Sequence, residues 1–378
     1  MFLYCVLLAT VVICGVCHGD MQPMVPDPAK GLNMALPDSN AYPVYYNVDQ
    51  GTAGEGGTPR EPYPPLQVDV TRWGLRPLNE TQGERACILP RCVPWTTGAF
   101  PLLECDESGR VTKTANGGVP QQANLSLHLQ LIRETLPSWI PDKNWGGNAV
   151  IDFEAWVPVW AELTHHAGGG CYQNRSRALV QEAHPSWNAA QVESVASQEW
   201  EAAAINWLVQ TIRTCVQIRP QARWGYYGLP KRGHDGGQAD RPPWSNYAQA
   251  MLPIFEASRA LYPSIYLRQN GTPEDHKSMV QSLLNETLVL ASHVEQVTGR
   301  RPRVLPYAWE FYGDRGCCAL LSDVDLNISL ALPKQLGASG VVIWGSLHMA
   351  NATVQQEYWR YFMEKTGPLV MRIHGSHD

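Results

Sequence analysis

Apolar residues recur along the chain with two periods. Leu125, Leu129, Ile132 and Leu136 fall three or four apart and predict a helix over 122–136. Val192, Val195, Trp200, Ala203, Trp207 and Ile212 extend the same pattern from Ala189 to Ile218, where Pro220 stops it. Further helical stretches cover 247–262, Met279–Thr298 (opened by Ser278, closed by Gly299), Leu326–Leu336 (capped by Ser322 and Asp325, closed by Gly337) and 355–365. Between them lie short runs rich in β-branched and aromatic residues: Tyr42–Asn47, 149–154, Arg223–Gly228, Ser264–Leu267, Val304–Phe311 and Gly340–Trp344. Alternating strands and helices predict an α/β fold of parallel strands joined by helical crossovers. After position 222 the strands recur about every 35–40 residues, the spacing of βα units in a closed barrel. The reading is a single, distorted TIM-like (β/α) barrel over 42–378, its active site at the C-terminal ends of the strands. A doubly wound open sheet is the competing arrangement, and no G-x-G-x-x-G follows the first strand to supply a dinucleotide site.

The flanking segments set the compartment. Residues 1–19 are apolar from Phe2 to Val16, carry no charge and end in Cys17-His18-Gly19, which reads as a secretory signal peptide. A membrane anchor is the alternative, but the run is short for a span and no later segment is long and apolar enough. Residues 20–41 hold Pro23, Pro26, Pro28 and Pro37 and read as an irregular leader; 50–65 is a Gly- and Pro-rich loop. Seven Asn-x-Ser/Thr sequons, at Asn79, Asn124, Asn174, Asn270, Asn285, Asn327 and Asn351, agree with export. Three of the ten cysteines lie in the signal region, leaving Cys87, Cys92, Cys105, Cys171, Cys215, Cys317 and Cys318. An odd set leaves at least one free or paired between chains, and the connectivity does not follow from spacing. Cys87 to Thr114 shows no clear helix and reads as a small stapled excursion.

Charge narrows the chemistry. The formal net charge is −6, so a polyanionic ligand would have to be met by a local basic surface, and a nucleic-acid binder is disfavoured. The segment Ala149-Val-Ile-Asp152-Phe-Glu154 delivers two carboxylates to one face at a strand end, with Phe153 on the other. Two such carboxyls resist joint ionisation, so one holds its proton, as cleavage of a glycosidic bond requires. Taken alone, D-x-E also describes a capping Asp beside a solvated Glu. His165, His166 and Cys171 lack a fourth spaced ligand, so no metal is expected. No cofactor motif is evident either.

The wider wording is more specific. Asp152-Phe-Glu154-Ala-Trp156-Val-Pro158-Val-Trp160 resembles the active-site strand of the hyaluronidase family, glycoside hydrolases that cut hyaluronan and chondroitin. Arg175–Trp187, Trp224–Pro230, Ser258–Tyr266 and Gly340–Trp344 match the same family in the same order. The resemblance implies substrate-assisted, retaining hydrolysis inside a glycosaminoglycan polymer, with no cofactor and no obligate protein partner. It implies that Glu154 is the acid and then the base, and that Asp152 orients the substrate acetamido group and holds up the pKa of Glu154. Tyr227 and Tyr266 would position that group, Trp344 would floor its pocket, and Asn47 would stand in the cleft.

Departures are present too. The cysteines that the family shows near Gln50–Thr52 and Val354 are missing, as is its C-terminal growth-factor-like module. Lys231 and Arg232 replace an acid and a cysteine after Pro230. They read either as contacts for uronate carboxylates or as a solvated loop. A chondroitin-preferring hydrolase and a non-catalytic glycosaminoglycan-binding protein are the rival functions.

Overall fold

A computed structural model describes residues 42–49, 70–77, 100–166, 168–231, 246–313, 319–346 and 352–375. The proposed signal peptide and leader, the loop over 50–65, Cys87, Cys92, Cys317, Cys318, Arg232, Asn79 and Asn351 lie outside them.

The strands are β1 (Val44–Asp49), β2 (Leu75–Pro77), β3 (Leu102–Cys105), β4 (Val111–Ala115), β5 (Asn148–Ile151), β6 (Arg223–Tyr226), β7 (Ala260–Leu261), β8 (Arg303–Val304), β9 (Tyr307–Trp309) and β10 (Val341–Ser346). The sheet order β2-β1-β10-β9 and the pairs β5-β6 and β7-β8 are all parallel. Parallel bridges Tyr227–Tyr262 and Ser264–Tyr307 join these pieces into one run from β2 round to β5. The β3–β4 hairpin and an isolated bridge between Phe311 and Leu320 are antiparallel.

The run is a curved surface with two faces. Tyr45, Val150, Ala260, Tyr262, Leu305, Tyr307 and Val342, drawn from strands all along it, form one inner cluster. The intervening positions, such as Val44, Ala149, Leu261, Ala308 and Ile343, join the larger outer core beneath the helices. Period-2 alternation thus sorts each strand between two apolar environments, which is why the strands read as nearly unbroken apolar runs. Gly225 is required where β6 meets β7. A Cβ there would lie 2.1 Å from the Ala260 carbonyl oxygen and 2.9 Å from the Tyr262 ring.

The helices are α1 (Leu125–Trp139), α2 (Trp160–Leu163), α3 (Gly169–Ala183), α4 (Ala189–Ile218), α5 (Asn246–Ala250), α6 (Leu252–Ala257), α7 (Pro273–Thr298), α8 (Asp323–Leu330), α9 (Leu332–Leu336), α10 (Ala352–Tyr361) and α11 (Gly367–Gly375). The longest, α4, has the bounds its pattern predicts. Asn188 and Gln191 form a reciprocal capping box at its start, and Val192, Ala196, Trp200, Trp207, Thr211 and Cys215 make its buried stripe. Each fully buried indole contributes about 2–3 kcal/mol through apolar burial alone.

Several boundaries differ from expectation. The stretch 247–262 is two short helices and strand β7, because Ser258 turns the chain extended. The strand expected at Ser264–Leu267 is only a bridge at Ser264. Pro306, which has no N–H to donate, separates β8 from β9 where one strand was expected. Helix α7 starts at Pro273, before Ser278, on a capping box between Thr272 and Asp275; it ends at Gly299 with φ 72°. Helix α10 runs on through a π turn (Phe362–Thr366) into α11. Helix α3, which begins in a glycine-rich segment, was not expected. A disulfide joins Cys105 of the hairpin to Cys171 on α3, so Cys171 is a structural staple.

Glu310, just past β9, ties the C-terminal helices to the strands. It is 2% exposed and accepts from the Tyr358 hydroxyl at 2.5 Å and from Thr366; Tyr358 in turn meets the Tyr46 hydroxyl at 3.2 Å. Burial pushes the Glu310 carboxyl up to about 7, against the pull of those hydrogen bonds. An acid raised in the folded chain binds a proton there that the unfolded chain has already lost. Its stabilisation is complete below about 4.5 and is lost as pH rises through about 7. Chemical denaturation between pH 4.5 and 7.5 should show stability falling by up to about 3 kcal/mol from this group. Glu310→Gln should flatten that fall; an unchanged slope would rule out Glu310 as its source.

Candidate active site

Moving up each strand in steps of two from the inner cluster gives the residues at its C-terminal rim. Val150 leads to Asp152 and Glu154, Gly225 to Tyr227, Tyr262 to Ser264 and Tyr266, Leu305 to Tyr307 and Trp309, and Val342 to Trp344. Tyr227, Tyr266 and Trp344 pack directly on the inner cluster. The five residues singled out most strongly from the sequence therefore share one rim.

The acids lie just past β5, in a segment with no regular structure. Aromatic anchors hold it. Phe153 turns to the outer core, stacked on Phe100 at 4.2 Å and edge-on to Trp156 at 4.8 Å. The indole N–H of Trp156 donates to the Pro101 carbonyl at 2.8 Å, and that of Trp200 to the Val157 carbonyl at 3.1 Å. The Trp160 indole donates to Glu193 at 2.8 Å while Arg177 lies over its ring at 5.3 Å. With Phe153 and Trp156 fixed outward, Asp152 and Glu154 are left on the rim side.

Glu154 keeps an open surface, yet surrounding protein displaces enough water to raise its carboxyl above the ordinary range. The Lys231 charge acts against that rise. Burial is the largest cause of that rise. Tyr227 is held far up by burial, then by the charges of Glu154 and Asp152. Tyr266 is raised by burial first, with Tyr227, Tyr307 and Asp152 adding to it. Both phenols stay protonated and able to donate.

The aromatics form a continuous wall. Tyr227 and Tyr266 lie 6.3 Å apart, Tyr266 stacks on Trp344 at 5.9 Å, and Trp309 meets Tyr266 at 5.7 Å and Trp344 edge-on at 5.2 Å. Such a wall suits the apolar face of a sugar ring, with phenol hydroxyls for its polar substituents.

Lys231 is half-buried, its ammonium 5.5 Å from the centre of the Tyr247 ring. Burial lowers its pKa while Glu162 and Glu154 hold its proton on. It is therefore not the solvated loop residue that one reading expected. His166 is lowered by burial and then by the Lys231 charge. Backbone pairing sets Asn47 beside Trp344 on β1 and β10. Among the described residues no group of three or more His, Cys, Asp or Glu is arranged to hold a metal. The sequon residues Asn124, Asn174, Asn270, Asn285 and Asn327 are all exposed.

The sequence reading missed Trp309, Glu162 and Tyr247. Trp309 was within reach, since it stands four residues past Leu305 on the same face. Glu162 and Tyr247 meet Lys231 only through the tertiary fold.

An α/β scaffold with a carboxylate pair and an aromatic wall at the C-terminal strand ends defines a glycoside hydrolase. The family model described as Hyaluronidase matches residues 96–376. Hyaluronidase of Apis mellifera is 32% identical over 91% of this chain and 88% of its own length, and Hyaluronidase A of Vespula vulgaris is 30% identical over 81% and 90%. The crystal structure of bee venom hyaluronidase in complex with a hyaluronic acid tetramer superposes with a TM-score of 0.72 at 31% identity, covering 88% of this chain and 99% of that one. The chain belongs to the hyaluronidase family of glycoside hydrolases.

Because Lys231 opposes the effect of burial on Glu154, Lys231→Gln should move the Glu154 titration to higher pH. Carboxyl NMR of ¹³C-labelled glutamate in both proteins checks this. A Glu154 resonance that titrates unchanged, or lower, would show that the lysine charge does not reach it.

Proposed function

We propose that this chain is a secreted hyaluronidase that cleaves internal β-1,4 bonds of hyaluronan by substrate-assisted, retaining catalysis. The convergence of Asp152, Glu154, Tyr227, Tyr266 and Trp344 on one rim carries this reading, and the family membership supports it. In this reading residues 1–19 are the signal peptide, 20–41 a leader, and 42–378 a single TIM-like barrel, the parallel run being most of its wall. No helix among the described residues is long and apolar enough to cross a membrane. The exposed sequon asparagines are the glycosylation sites expected on export.

Each residue has a stated task. Glu154, whose protonated form burial favours, protonates the glycosidic oxygen as the bond to the anomeric carbon breaks. The acetamido carbonyl oxygen of the substrate's own hexosamine attacks that carbon from the opposite face, so no enzyme carboxylate forms a covalent bond. Asp152 and the two phenols hold the acetamido group in line, which supplies proximity without a second reactant. Glu154, now ionised, takes a proton from the water that opens the cyclic intermediate and restores the configuration. Trp344 and Trp309 stack against the sugar, Asn47 borders the cleft, and Lys231 and Arg232 offer positive charge to neighbouring uronates.

Lys231 is also the observation that favours a second reading, preference for chondroitin, because it changes charge where substrate carboxylates would lie. Saccharides released from hyaluronan and from chondroitin by wild type and Glu154→Gln decide between these. Even-numbered products ending in N-acetylhexosamine are expected, with Glu154→Gln slower by about 10²–10⁴-fold or more and still binding polymer. Binding without cleavage of either polymer by wild type, from acid to neutral pH, would make the protein a glycan binder. Asp152→Asn should lower kcat by a comparable order, leaving the pH limb set by Glu154 in place, since burial raises that acid. A limb that moves to lower pH would show that Asp152 helps to raise Glu154.

A further inference from the structure

The N-terminal mouth of the strand run differs in character from the acidic rim. Stepping down by two from Val150, Gly225 and Leu305 gives Asn148, Arg223 and Arg303, turned to the inner face. Asn148 and Arg223 are direct partners across β5 and β6, and Arg303 pairs with Ala260 one strand further on. Tyr262 spans the gap, its hydroxyl donating to the Arg223 carbonyl at 2.6 Å. Burial raises that phenol, and the charges of Arg223 and Arg303 both act against the rise.

The polar groups gathered there have no protein partner. Asn148 is 1% exposed, yet neither its amide nitrogen nor its carbonyl oxygen has a hydrogen-bond partner. The Nε of Arg223 is buried and equally unpartnered. Among the described residues no carboxylate pairs with Arg223 or Arg303. Buried polar groups are nearly always satisfied, and unpaired neighbouring cations favour an anion between them.

We propose that Asn148, Arg223 and Arg303 form a binding site for a small inorganic oxyanion, sulfate or phosphate, at the end of the strand run opposite the active site. The guanidinium groups present fork-shaped donors that match such oxygens. The Asn148 amide supplies two more N–H donors, and its carbonyl oxygen suits a water carried in with the anion. The site stands on residues that the proposed hydrolysis does not use.

Titration calorimetry with sodium sulfate, then sodium phosphate, into the full chain at ionic strength fixed with sodium chloride tests this. Saturable one-to-one binding is expected for at least one anion. Arg303→Gln, an exposed position that should leave the fold intact by circular dichroism, should weaken binding by tenfold or more, as should Arg223→Gln. Glu154→Gln should bind the anion as tightly as wild type, which separates this site from the catalytic rim. No saturable heat in wild type would overturn the proposal. Equal binding by Arg303→Gln and wild type, or loss of binding in Glu154→Gln, would overturn it as well.

Discussion

Period-2 alternation across the parallel strands is the constraint on which the rest depends. A strand with apolar groups on both faces can bury both only if helices cover one side and strands curve round the other. The curvature brings Tyr45, Val150, Tyr262, Leu305 and Val342 from strands far apart in sequence into one inner cluster. Parallel direction then puts every strand's next inward residue at the same end. The rim residues converge because Val150, Gly225, Tyr262 and Val342 lie in neighbouring layers below them. A one-residue slip in β5 would turn Asp152 toward the helices and Phe153 onto the rim.

Glu154 shows how opposing local terms set one acid's state. Surrounding protein raises it, the Lys231 charge lowers it, and the net direction is upward. Lys231 is restrained in turn: burial weakens its hold on its proton, while Glu162, Glu154 and the Tyr247 ring favour the charged form. An ammonium in that position moderates an acid that burial alone would raise further. Its placement follows from the turn at Gly228 and the Leu229–Pro230 segment, which return the chain toward the rim directly after Tyr227.

Legibility in the sequence followed the length and locality of each signal. Helix α4 was read to its ends because thirty residues carry one apolar stripe and Pro220 stops it. The fold class followed from the order of elements. Strand β7 has two residues, too few to show a period, so Ala260–Leu261 was absorbed into a helix. The true start of α7 lay in Thr272-Pro273-Glu274-Asp275, a cap that is plain once seen, while Ser278 is only a polar residue within the helix. The pairing of Cys105 with Cys171 depends on where the hairpin docks on α3, which no spacing encodes. For the site, D-x-E and the strand-end aromatics were local signals, sharpened by wording that resembled a family. The cause of the Glu154 shift was not legible, because it comes from residues brought together by packing.

The two ends of the strand run also differ for a reason rooted in chain direction. At the C-terminal ends the chain leaves the strands into irregular segments, such as 152–159 and 228–231, which leave room for side chains that act on a ligand. At the N-terminal ends the chain enters from helices that pack tightly against the strand starts, as where Arg219 donates to the Ile140 carbonyl and fixes the approach to β6. Residues there are held more by their backbone neighbours than by their own side-chain partners. That arrangement is how Asn148 comes to be buried with its amide unmatched beside two guanidinium groups. A buried amide without partners is costly, so its retention requires either a bound solute or a structural gain large enough to offset that cost. The inward direction of Arg223, whose buried Nε is likewise unpartnered, favours the bound solute.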